Sequence, residues 1–191
     1  GILKSRRGEN ILSDSDKANL LNSFFASVNI QDNGVMPDFV SRVADGVKLD
    51  NVFFSTASLL KVSKKIKPKL SSGPDGYPPY LLKQLMPALA SPVALLFNAF
   101  MSVGRVPLDW KSAFITPLFK KGVSSDPSNY RPVSLTSIFS KLMERVIVLE
   151  LLTYLLQHNL ISKQQHGFLS GKSTATNILE TLNDWTLNID N

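Results

Sequence analysis

Apolar residues recur at helical spacing in six stretches of the chain and crowd together at strand-like density in two more. Ser13-Asp14-Ser15-Asp16 is a run of N-cap residues, and Leu21, Phe24, Phe25 and Val28 then share one helical face. Ser55 can cap a short helix with Leu59, Val62 and Ile66 on one side. Pro78 and Pro79 suit the first turn of a helix whose apolar face would be Leu81, Leu82 and Leu85. Ser91-Pro92 predicts a stop and a restart, with the new helix running to about Met101 and Gly104 at its C-terminal end. Ser137 to Gln157 reads as the longest helix, with Ile138, Leu142, Val146, Leu149, Leu152 and Leu156 in step and His158-Asn159 closing it. Ser173 can cap a last helix bearing Ile178, Leu182 and Trp185.

The two β-prone runs are Ala113 to Phe119 and Tyr130 to Leu135, separated by the polar loop Lys120 to Asn129. They predict a hairpin with basic residues at its tip. Pro117 and Pro132 confine both runs to edge positions. Ser71-Ser72-Gly73-Pro74-Asp75-Gly76 is turn chemistry: Pro74 presets φ, and Gly76 can take a positive one. Gln31 to Asn51 has little periodicity and reads as a linker or loop. The expected class is α+β and mostly helical with one β-hairpin. The alternating strands and helices of a closed α/β domain are missing, so the expectation is an incomplete lobe.

Charge sharpens this picture. The 191 residues carry a formal charge of +6, and it is unevenly spread. Residues 1–60 hold six Lys/Arg against seven Asp/Glu, residues 61–172 hold fifteen against five, and the remainder hold none against three. A basic middle block suits a polyanionic partner, most simply a nucleic acid; the plainer alternative is solubility. With no cysteine and only His158 and His166, thiolate chemistry and multi-histidine metal cages are excluded. No apolar run approaches the roughly 20 residues of a membrane span, and no membrane partner is expected. The opening Gly1-Ile-Leu-Lys lacks an initiator methionine and an apolar signal core, so the expectation is no signal peptide and a fragment of a longer chain.

Two-metal catalysis needs paired acids that hold two divalent ions about 3.5–4 Å apart. The acids here do not offer such a pair. Asp14 and Asp16 read as capping groups, and Asp184 and Asp190 fall in the last helix and its frayed end. Gly167-Phe168-Leu169-Ser170-Gly171-Lys172-Ser173 imitates a phosphate loop but has three residues between the glycines instead of four. The hairpin tip is the stronger candidate. Lys120, Lys121 and, across the loop, Arg131 would bring three cations together, two as point charges and one able to grip two phosphate oxygens. A solvated basic turn is the alternative.

Six segments in order carry a resemblance: Gly73-Pro74-Asp75-Gly76, Trp110-Lys111-Ser112-Ala113, Pro117 to Gly122, Asn129 to Thr136, Lys141-Leu142-Met143-Glu144, and Gln165-His166-Gly167-Phe168. Together, from about Lys61 onward, they resemble the reverse transcriptase of jockey-like non-LTR retrotransposons, the long interspersed elements. Asp14 to Val28 resembles the stretch that joins the family's endonuclease to its polymerase. The resemblance implies a linker-like N-terminal extension with one helix over 1–54, and over 55–191 a fingers subdomain with the truncated start of a palm. It implies that Lys120, Lys121 and Arg131 hold the incoming nucleotide's triphosphate. It implies nucleic-acid contacts for Lys61, Lys64, Lys65, Lys67 and Lys69, for Gly73, Asp75 and Gly76, and for Gln165, Gly167 and Phe168.

The partners implied are template RNA, primer DNA, deoxynucleotide triphosphates and the missing palm. Mg2+ is expected for the full-length enzyme, with no ligands and no catalytic residues in these residues, because the family's aspartate motifs lie beyond them. Localisation, by family alone, is nucleus and cytoplasm as a ribonucleoprotein. The expectation is therefore a fragment of an RNA-directed DNA polymerase that is inactive by itself. The alternative is a non-catalytic, basic nucleic-acid-binding remnant. Uncovered apolar faces, Ile178, Leu182 and Trp185 among them, predict poor solubility alone.

Overall fold

The computed structural model describes residues 1–191 except 6, 37, 39–42, 44–46, 190 and 191. Asp190 and part of the predicted 31–51 loop therefore lie outside the described residues; residues 31–36, 38, 43 and 47–51 form no helix or strand. The chain divides into two compact units. One comprises Gly1–Asp38 and Val52–Ile147, the other Phe39–Asn51 and Val148–Asn191. The described residues are mixed helix and sheet: five α-helices and two two-stranded antiparallel sheets.

The first unit is built on three helices: α2 (Thr56–Ser63), α3 (Pro79–Val103) and the first half of α4 (Ile138–Gln157). Ser55 caps α2 in a reciprocal capping box with Ser58, as its sequence predicts. Leu59, Val62 and Ile66 are buried, and they meet Leu82, Met86, Ala90, Val93 and Phe97 of α3 and Leu142 and Val146 of α4 in one core. Asn98 ties the entry to α2 onto α3, its side chain accepting from Phe54 N–H at 3.0 Å and donating to Phe54 C=O at 2.9 Å.

α3 corrects three expectations. It is one continuous helix of 25 residues through Pro87 and Pro92, and it, not the 20-residue α4, is the longest. Its buried face is Leu82, Met86, Ala90, Val93, Ala94 and Phe97, whereas Leu81 and Leu85 are exposed. An interior proline costs roughly 3 kcal/mol. Burying a side chain such as Leu82, Met86, Val93 or Phe97 stabilises by roughly 1.5–3 kcal/mol, enough to carry the helix through both breaks. By length and composition alone α3 is also apolar enough to cross a membrane. The sequence hid this by seeming to stop at Ser91-Pro92. Helices at the centre of a protein core meet the same criterion.

An aromatic cluster carries the core towards the hairpin. Trp110, on a 3-10 turn over Leu108–Lys111, packs edge-on against Phe97 and Phe100 and parallel to Phe139 of α4, and Tyr77 meets Phe139 edge-on. Beyond the 3-10 turn, β3 (Ala113–Phe119) pairs with β4 (Tyr130–Thr136) in the register Ala113↔Thr136 to Phe119↔Tyr130. Both strands are edges, and Pro117 sits directly opposite Pro132; counted from the Lys120 N–H to Asn129 C=O bond, this is a non-hydrogen-bonded pair, so both proline nitrogens point away from the partner strand and no ladder bond is lost. β4 runs into α4 through Ser137, which is fully buried and whose Oγ accepts from the N–H groups of Phe139 and Ser140.

The first unit also contains a small hairpin absent from the sequence prediction, β1 (Leu3–Lys4) with β2 (Asn10–Ile11). α1 (Asp14–Ser27) follows, capped by Ser13, with Leu21 buried and Phe24 and Phe25 half-buried. Asp14 pairs with Lys17 at 3.0 Å, and this hydrogen-bonded charge holds its carboxyl below the usual aspartate value.

In the second unit, the end of α4 closes at Asn159 in the left-handed conformation (φ 53°), and Tyr154 Oη donates to Val47 C=O at 3.3 Å. α5 (Thr174–Ile189) starts in a reciprocal cap between Ser173 and Thr176. None of its described residues is buried: Ile178, Leu182 and Trp185 are 54%, 49% and 62% exposed.

Candidate nucleotide and nucleic-acid interface

In an antiparallel pair, alternate residues share a face. Lys120 N–H donates to Asn129 C=O at 2.8 Å, which continues the β3–β4 register one step past Phe119 and Tyr130. Lys120 therefore shares a face with Leu118 and Arg131, and Arg131 lies diagonally across from it at a Cβ separation of about 7–8 Å. Lys121 begins the turn. All three cations are exposed, and among the described residues none has an ion-pair partner.

The loop that carries them is extensively bonded to itself. Asn129 Nδ2 donates to Val123 C=O at 3.0 Å, Tyr130 Oη donates to Ser124 C=O at 2.7 Å, and Asp126 Oδ1 accepts from Ser128 N–H at 2.8 Å. That last bond holds the Asp126 carboxyl below its ordinary value. Gly122 takes φ +90° with its Cα face against the Asn129 side chain, leaving no room for a Cβ. A loop so held presents its charges in a set geometry, which lowers the ordering cost of gripping a ligand. Asp126, Asn129 and Tyr130 organise this loop, a role that composition and spacing alone do not mark. The available signal was Asp126-Pro127-Ser128, an acceptor followed by proline at the start of a 3-10 turn.

Elsewhere in the first unit, Lys61, Lys64, Lys65, Lys67 and Lys69 are all exposed, while Val62 and Ile66 between them are buried. Burial of the apolar pair turns the lysines outward. Lys83 Nζ fastens this segment by donating to the carbonyls of Lys64 and Ile66. Gly73 is buried against the β4–α4 junction: a Cβ there would stand 2.6 Å from Thr136 C and O. Asp75 is half-buried; its Oδ1 accepts from Tyr77 N–H at 3.3 Å, and its buried Oδ2 has no hydrogen-bond partner. Gly76 is exposed with φ +73°.

In the second unit, Gln165 is exposed, its Nε2 donating to Gly167 C=O at 3.0 Å. Phe168 is fully exposed in the left-handed conformation (φ 63°). His166 between them is buried, with Nδ1 2.9 Å from Thr176 Oγ1 and Nε2 2.6 Å from Glu180 Oε2, a role the sequence did not disclose. These contacts tie the loop to α5. Among the described residues no group of three or more His, Asp or Glu lies together, so they do not fit the Mg2+ that the resemblance implies.

The chain is similar to RNA-directed DNA polymerases of mobile elements, that is, to reverse transcriptases. It is 33% identical over 121 residues to a probable RNA-directed DNA polymerase from transposon BS of Drosophila melanogaster, covering 63% of this chain and 13% of that protein. Within the class, the similarity is to those of jockey-like and other non-LTR retrotransposons. The polymerase of mobile element jockey from Drosophila melanogaster is 43% identical over 77 residues (40% of this chain, 8% of that protein), and that from Drosophila funebris 31% identical over 126 residues (65% and 13%). The chain thus spans about a tenth of the length of these curated relatives. No family model matches it.

Proposed function

We propose that this chain supplies the fingers and the start of the palm, over residues 55–191, of a non-LTR retrotransposon reverse transcriptase, with residues 1–54 as an N-terminal extension. Lys120, Lys121 and Arg131 hold the triphosphate of the incoming deoxynucleotide. Lys61, Lys64, Lys65, Lys67 and Lys69 follow the phosphate backbone of the template RNA, alongside Gly73, Asp75 and Gly76, and Gln165, Gly167 and Phe168 lie near template and primer. The observation that carries this reading is the exposure of Lys120 and Arg131, diagonal neighbours on one hairpin face, with no ion pair to a carboxylate at either among the described residues. Acids able to hold Mg2+ are assigned to palm residues outside this chain, so residues 1–191 alone extend no primer, and the parent acts in a ribonucleoprotein in nucleus and cytoplasm.

The test is charge reversal, Lys120→Glu with Arg131→Glu, in a longer chain that carries the downstream palm. A charge-assisted contact is worth about 1.5–3 kcal/mol, so the KM for nucleotide should rise at least tenfold while RNA affinity changes little. An unchanged KM refutes the assignment, and primer extension by residues 1–191 refutes the division of labour. The exposed lysines of 61–69 favour a second reading, a non-catalytic RNA-binding remnant. It predicts salt-sensitive RNA binding indifferent to nucleotide, with the salt slope falling by about 0.7 for each lysine removed.

A further inference from the structure

We propose that the N-terminal segment Leu3–Ser27 is a positioning brace for the hairpin tip, holding the 120–129 loop from one side so that the cationic face stays open on the other. Three observations converge on this. Lys4 N–H donates to Ser125 C=O at 2.8 Å, while the neighbouring Ser5 N–H bonds Glu9 within the small hairpin. β1 thus lends a backbone donor to the loop, and Leu3 beside it is buried at 4% exposure.

Second, α1 lies along the same structure. Leu20 and Phe24 line a cleft of about 720 Å3 with Ser125, Asp126 and Pro127, and Leu21 and Phe25 line one of about 530 Å3 with Ala113, Phe114, Ile115, Pro117 and Tyr130. Third, Ala113, Ile115, Pro117 and Tyr130 belong to one alternating face of the hairpin, and Leu118, Lys120 and Arg131 belong to the other. The brace lies mainly along the first face, reaching Phe114 of the second at the base of the hairpin, and leaves Leu118, Lys120 and Arg131 to solvent.

A two-stranded hairpin by itself is marginally stable in water, so a cover on one face decides how well its tip holds a geometry. The open clefts along the seam mark a contact made by few atoms, in which a single backbone hydrogen bond carries weight. The mechanical part of this inference stands on its own; the consequence for phosphate binding rests on the function proposed above.

The experiment compares Lys4→Pro with Lys4→Ala in the 191-residue chain. Proline removes the donor to Ser125, whereas alanine removes only the charge. Hydrogen exchange at the amides of Lys120, Asp126 and Asn129 should quicken roughly three- to tenfold in Lys4→Pro and stay at the wild-type rate in Lys4→Ala. Binding of inorganic tripolyphosphate, read by calorimetry, should weaken several-fold more in Lys4→Pro than in Lys4→Ala. Should Lys4→Pro fail to fold by circular dichroism, Phe24→Ala takes its place with the same expected exchange. Wild-type exchange in the folded variant overturns the brace. A wild-type chain that ignores tripolyphosphate overturns the phosphate assignment, and the exchange rates still decide the brace.

Discussion

Replacing Gly73 by alanine should damage the fold out of proportion to one methyl group. The added Cβ would meet Thr136 C and O at 2.6 Å and Ser137 N at 2.9 Å, against an ordinary separation of about 3.5–4.0 Å. All three atoms are backbone, so no side chain can swing aside. Relief requires the Gly73–Gly76 turn to part from the β4–α4 junction by roughly 1 Å, and overpacking of this kind costs about 1–3 kcal/mol. The junction includes the fully buried cap Ser137, and weakening that cap adds about 1 kcal/mol. The sum is about 2–4 kcal/mol. At about 2–4 °C per kcal/mol for a chain of this length, Tm should fall by about 5–15 °C.

Urea denaturation should show a lower midpoint at unchanged slope. Gly76→Ala is the control: its φ of +73° opposes a side chain, but nothing lies within 4 Å, so it should cost only about 1–2 kcal/mol. A Gly73→Ala protein within about 0.5 kcal/mol of wild type, or one more stable than Gly76→Ala, would refute the reasoning.

Asn98→Ala strips partners from both backbone groups of the buried Phe54; with about 1–3 kcal/mol for an orphaned group, stability should drop by about 2–4 kcal/mol, and a loss under about 1 kcal/mol in denaturant would contradict the clamp. The Ser128 N–H bond depresses the folded value of Asp126, so that contribution is complete above the unfolded value and disappears as pH falls through the lower, folded one. The Ser128 amide shift should then titrate with a midpoint below the ordinary aspartate value of 3.8, and a midpoint at or above it would exclude the bond. Exposed Ile178, Leu182 and Trp185 should drive self-association, so Ile178→Asp with Leu182→Glu should shift sedimentation towards monomer, and a wild-type chain already monomeric at high concentration would refute this.

Local chemistry determined much of this protein. Ser13, Ser55 and Ser173 begin the helices they predict, because a capping side chain acts on backbone within three residues of itself. The β3–β4 hairpin and its basic tip were legible for the same reason: alternation, turn residues and the Lys120–Arg131 spacing are properties of neighbours in sequence. The tertiary structure decided the rest. Pro87 and Pro92 read as breaks, yet α3 runs through them because distant partners on α2 and α4 bury its face. Gly73 reads as a flexible turn glycine, yet it is Thr136 and Ser137, more than sixty positions away, that leave no room for a side chain. The small N-terminal hairpin has too few residues to announce itself by periodicity and becomes visible only where Lys4 meets Ser125. Contacts between residues far apart in sequence depend on how elements pack, and no window of sequence contains both partners.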